Sequence, residues 1–240
     1  MRDELPVEES AVRKACGDVA LPRLGLIEQQ WQTDPIPHGG ITAEAYDAVG
    51  SLALGDCPDG GEVAVGVGSR GINNLPAIVR GVVAGLDDRG YEPFVFPAMG
   101  SHGGATASGQ TEKLATLGVT EDSIDCEIRA TMDVEQIGTT ADRNAPVYAD
   151  AYAVDADAIV PVNRIKPHTD FSGEVESGLS KMLVIGMGKQ RGAKMAHDWA
   201  VDWSLRSMIP EITEQLLAEL PVIGGIAIVE DEHDETTLIE

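Results

Sequence analysis

The chain has 240 residues, of which 40 are Asp or Glu and only 17 are Lys or Arg, for a formal net charge of -23. So few cations leave little with which to displace phosphate counterions, which argues against a nucleic-acid partner; the acid excess reads as the solvated surface of a protein from high-salt cytoplasm, that is, a halophilic one. Three scattered cysteines, Cys16, Cys57 and Cys126, point to reduced thiols rather than to a disulfide framework or a thiolate zinc site. The N-terminal MRDELPVEES lacks the apolar run of a signal peptide, and no stretch is long and apolar enough to span a membrane, so a cytoplasmic location is expected.

Strand and helix signals alternate from about residue 62. A short buried strand is expected over Glu62–Val67, followed by the loop GSRGINN and a helix over 75–89 with Ile78, Val82, Val83 and Leu86 on one face and Gly90 as its stop. Next come a strand over 93–97, the glycine-rich loop 100–104, a helix near 108–117 and a further strand over 124–130. The apolar run 158–162 fits an interior parallel strand that opens into the loop Arg164-Ile165-Lys166-Pro167-His168. Helices are expected over 176–185, 190–201 and 205–219, and a last strand over 225–230. This rhythm predicts an α/β fold, an open and mostly parallel sheet flanked by helices in a Rossmann-like arrangement. Ligands of such sheets bind beyond the carboxyl ends of the strands, where the loops GSRG, MGSHGG and NRIKPH fall.

Residues 164–197 reverse the charge of the chain. They hold Arg164, Lys166, Lys181, Lys189, Arg191 and Lys194 with His168 and His197, against Asp170, Glu174 and Glu176. Concentrating scarce cations beside imidazoles and glycines points to a site for an anion or a metal-bearing cofactor.

Within the strand-end loops, each candidate has a plain reading and a chemical one. His102, between glycines, is a solvent-facing turn residue or an acid/base group. Arg70 is a surface cation or a bidentate clamp for a carboxylate or phosphate. His168, after Lys166-Pro167, belongs to a surface turn or to a site aimed by the proline. Lys181, among apolar neighbours, is a snorkelling side chain or a desolvated nucleophile. His197, sixteen residues on, is a packed helix histidine or a metal ligand. The run Gly186-Met187-Gly188-Lys189 lacks the spacing of a phosphate loop, although its lysine could still meet a phosphate.

Taken in order, from about residue 63 to 197, these residues resemble the N-terminal domain of the nickel-dependent lactate racemase family. The resemblance implies that Arg70, with Lys166, binds the substrate carboxylate, and that His102 and His168 are the catalytic acid/base pair. It further implies that Lys181 bonds covalently to a nickel-pincer nucleotide (a pyridinium mononucleotide carrying nickel) and that His197 is the protein ligand of the metal. The cations of 181–197 would offset the cofactor phosphate. The implied reaction is racemisation or epimerisation of a small-molecule 2-hydroxy acid by reversible hydride transfer, with one histidine serving each enantiomer. Gly103-Gly104 stand where the family keeps Arg-Pro, and the interval from His168 to Lys181 is a few residues longer; these departures bear on the substrate.

Family members also carry a C-terminal domain. The resemblance therefore assigns 1–224 to a cofactor and catalytic domain and 225–240 to the start of a truncated second domain or an edge strand with little to pack against. A separate chain could then supply the remainder, and poor racemisation by this chain alone is expected. Two other readings stay open: a non-catalytic module that holds nickel or the pincer nucleotide, and a zinc-assisted hydrolase built on His102, His168 and His197.

Overall fold

The computed structural model describes residues 9–17, 25–26, 33–169, 171–200 and 202–240. Most of the N-terminal segment MRDELPVEES, together with Asp170 and Val201, lies outside them. The chain divides into two units, residues 1–32 and 33–240. In the first, helix α1 (Glu9–Cys16) is exposed over residues 10–16. Everything that follows belongs to the second.

Its elements run α2 (Ile41–Ala48), β1 (Glu62–Val67), α3 (Leu75–Asp87), β2 (Glu92–Pro97), α4 (Ala107–Thr116), α5 (Glu121–Ile124), β3 (Val134–Thr139), β4 (Pro146–Asp150), α6 (Ala151–Asp155) and β5 (Ala158–Arg164). After β5 come α7 (Leu179–Lys181), a π-helical segment Met182–Met187, α8 (Lys189–Trp199), α9 (Leu205–Glu219), β6 (Ile226–Glu230) and β7 (Thr236–Ile239). Five strands form one sheet in the order β2-β1-β5-β6-β7; the first four are parallel and β7 returns antiparallel, while β3 and β4 form a separate hairpin. The fold is thus α/β, an open and mostly parallel sheet flanked by helices.

Both faces of the central strands are covered, which is why β1 and β5 read as unbroken apolar runs. Val63, Val65, Val67, Val160 and Val162 pack with α2 and α3, whereas Ala64, Ile159, Phe94 and Phe96 pack with the π-helical segment, α8 and α9. Helix α3 approaches α2 so closely that a Cβ at Gly81 would lie 2.4 Å from the Thr42 carbonyl oxygen. No helix among the described residues is long and apolar enough to cross a membrane.

Four expectations need correction. Residues 124–130 form no strand: Ile124 closes α5, and Ile128 makes only an isolated bridge to Val95. The helix expected over 176–185 starts at Leu179 and widens into the π-helical turn at Met182. The helix expected from 190 begins one residue earlier, with Lys189 at φ 51°. The last parallel strand is not at an edge. Strand β6 pairs with β5 on one side and β7 on the other, and Ile226 and Ile228 are wholly buried.

Candidate functional site

In-register pairing brings three strand ends together. Val67 of β1 lies opposite Pro97 of β2 and Val162 of β5, so the loops carrying Arg70, His102 and His168 leave the same edge of the sheet. Strand order reverses between β1 and β5, the place where open α/β sheets form a ligand crevice.

The β5 loop folds back on itself through Lys166 and Ser177, whose backbones pair in both directions. Asn163 Nδ2 donates to the Gly178 carbonyl at 3.1 Å and fixes the loop's return into α7. Lys181 Nζ then lies 2.6 Å from His168 Nε2. An ammonium has only protons to give, so while Lys181 is charged Nε2 is the acceptor and the ring proton resides on Nδ1. The imidazole stacks on Phe171 with 4.3 Å between centroids. Glu176 holds the turn beneath it, accepting from the backbone N–H of His168 at 2.6 Å and of Gly173 at 3.0 Å. Those backbone donors, His168 first, keep the Glu176 carboxyl below the usual range. Lys166 is exposed and lines a groove of about 430 Å³ with Glu174, Glu176 and Val229.

The second pair is His102 and the β1 loop. Ser69 Oγ makes a hydrogen bond with His102 Nδ1. Partial burial, followed by the charges of Arg70 and Lys113, lowers the His102 pKa below the ordinary 6.5. Neutral imidazole is therefore the resting form at neutral pH, as an acid/base group requires. Because its pKa is depressed, this group contributes stability above the unfolded value, and the contribution is lost as pH falls through the folded one. Arg70→Ala is expected to raise the His102 midpoint, measured by NMR titration of the ring, yet to leave it depressed because burial is the larger cause. A midpoint unmoved by that change would contradict an influence of the Arg70 charge on His102.

The loop bearing His102 is shaped by glycine. Gly103 sits at φ 67°, and a Cβ there would come within 2.5 Å of the Gly109 backbone. A Cβ on Gly109 would meet the Gly103 carbonyl oxygen at 1.9 Å. Only glycines let α4, capped by the Thr106 hydroxyl, press this closely against the loop.

The structure joins Lys181 to His168, and joins His102 to Ser69 of the loop that carries Arg70. His197 belongs to neither pair; it is exposed in the last turn of α8. Nor do the described residues include three His, Cys, Asp or Glu side chains grouped to hold a metal, so His102, His168 and His197 do not form a zinc triad. The cationic segment is also less open than its sequence implies. Arg164 pairs with Glu230, Lys194 with Asp198 at 2.5 Å, and Lys189 with Asp150 at 2.9 Å. Lys189 is wholly buried and so is no phosphate ligand.

Sequence reasoning missed Ser69, Phe171, Glu176 and Gln110, for none sits in a chemical motif. A larger cleft, about 490 Å³, lies at the opposite edge near the start of β2 among Asp87, Asp88, Glu92 and Glu127, remote from these histidines. Comparison of the chain with family models and with curated proteins gave no match.

Proposed function

We propose that this chain is a racemase or epimerase of a 2-hydroxy acid that works with a nickel-pincer nucleotide, similar to the lactate racemases. The observation that carries the reading is the contact of Lys181 Nζ with His168 Nε2 at the carboxyl edge of the sheet. It sets an amine able to form a covalent anchor directly beside an imidazole able to move a proton. The half-buried Lys181 and the exposed imidazole of His197, on the same run of helices, suit the two attachments such a cofactor needs. When bound, the group supplies a reversible acceptor for the α-hydride of the substrate.

Arg70 pairs with the substrate carboxylate through its planar fork of donors, which fixes the α-carbon. His168 and His102 each take and return the proton of the substrate hydroxyl. Two bases are needed because the hydroxyl of one enantiomer points away from the base that serves the other. Lys166 lies on the same loop and adds positive charge near the carboxylate.

The test uses an α-deuterated single enantiomer of a 2-hydroxy acid with chain purified from cells that also make the cofactor. Chiral chromatography with mass detection is expected to find the opposite enantiomer with deuterium kept on the α-carbon. Loss of the label to water in whatever product forms would contradict the reading, whereas a slow rate would not, since slow racemisation by this chain alone is expected.

A further inference from the structure

Among the described residues Lys189 is the one lysine with no exposed surface, and its partner Asp150 has none either. Burying a charge pair costs several kcal/mol per ion before any attraction is counted, so such a pair is weak evidence for stability as its purpose. Its other bonds point elsewhere. Lys189 Nζ also donates to the Pro97 carbonyl, where β2 gives way to the His102 loop, and to Gln110 Oε1 at 3.0 Å. Gln110, itself wholly buried on α4, donates through Nε2 to the carbonyls of Gly100 at 2.9 Å and His102 at 3.3 Å.

One ammonium thus reaches both ends of the loop from Pro97 to His102, directly and through Gln110. Lys189 itself stands in a left-handed backbone conformation between the π-helical segment that follows Lys181 and the helix that carries His197. The Gly100 N–H donates to the Gly186 carbonyl at 2.9 Å and closes the same join from the backbone side. Asp150 is fixed in turn, because its Oδ1 caps α6 by accepting from the N–H groups of Tyr152 and Ala153.

We propose that Lys189, held by Asp150 and acting through Gln110, is a positioning residue that sets His102 relative to the segment bearing Lys181 and His197. It touches no substrate and moves no proton. The importance of this for turnover rests on the racemase-like reading; the coupling itself does not.

The experiment is amide hydrogen exchange and histidine NMR on the chain without cofactor, in Lys189→Met/Asp150→Asn and in Gln110→Met. The double variant leaves no buried charge unpaired, and Gln110→Met keeps the ion pair while cutting the arm to the loop. In both, the amides of Gly100, His102 and Ala105 should exchange about tenfold faster or more, while those of β1 and β5 keep wild-type protection. The His102 midpoint should rise as the loop opens to water. A purely structural pair would change exchange everywhere in the double variant and nowhere in Gln110→Met, and that pattern would overturn the proposal. So would loop amides and a His102 titration left at wild-type values in both variants. Because no cofactor is present, the result does not depend on whether Lys181 takes an adduct.

Discussion

Lys189→Met alone is expected to destabilise the fold by about 3–5 kcal/mol, the usual cost of stranding one half of a buried pair. Asp150 would then keep its two backbone donors but lose the ammonium 2.9 Å away, with no exposed surface through which water could replace it. Burial already pushes the Asp150 carboxyl above its ordinary range, opposed first by the charge of Lys189. Removing that charge raises it further. The sign of the pH dependence follows: a carboxyl that binds its proton more tightly when folded is stabilising below its unfolded pKa and costly above it. Urea unfolding should therefore show a deficit that shrinks in mild acid and grows as pH rises through the carboxylate range. Lys189→Met/Asp150→Asn should recover most of it, since an asparagine side chain at that position can still cap α6. A pH-independent deficit, or none, would mean that the pair is not buried as described.

The second large effect is the one that the proposed racemase-like function predicts. His102→Ala and His168→Ala should each lower turnover of the cofactor-loaded chain by about 10²–10⁴-fold, the range for loss of a positioned acid/base group. The two losses should differ in direction, one falling more steeply from one enantiomer and the other from its mirror image, as chiral chromatography would read. Ser69→Ala should cost less, because under the proposed function the serine acts only through its hydrogen bond to the His102 ring. Equal and small losses from both enantiomers in the histidine variants would remove these side chains from the chemistry.

Much of the scaffold is legible in the sequence because the physics is local. Runs such as 63–67 and 158–162, short and apolar on both faces, fit buried strands, and 205–219 shows the spacing of a helix with one buried face. The π-helical turn is not legible: Met182–Met187 is apolar nearly all round, so no periodicity distinguishes a wide turn from an ordinary one. The hairpin of β3 and β4 is hidden for the opposite reason, since Val134–Thr139 is half exposed without alternation. Strand β6 looks terminal in sequence because the antiparallel return through β7 needs only the short turn at Asp231–Asp234, set among acidic residues.

The candidate site divides similarly. Arg70, His102, His168, Lys181 and His197 stand out by residue type and order; Lys181 and His168 are in contact, and His102 meets Ser69 of the loop that carries Arg70 along the same sheet edge. Lys189 is a different case. In sequence it looks like one more cation for an anion, and nothing local reveals that Asp150, Gln110 and Pro97 close over it. Burial is a property of the assembled core, so a charge can be recognised as internal only once its distant partners are in place.

The proposed anchoring of a nickel-pincer nucleotide on Lys181 can be read out by intact-protein mass spectrometry with peptide mapping. Chain from cells that also make the cofactor should carry an added mass confined to the peptide bearing Lys181, and Lys181→Ala should carry none. Unmodified wild-type chain, or an adduct that persists in Lys181→Ala, would contradict it.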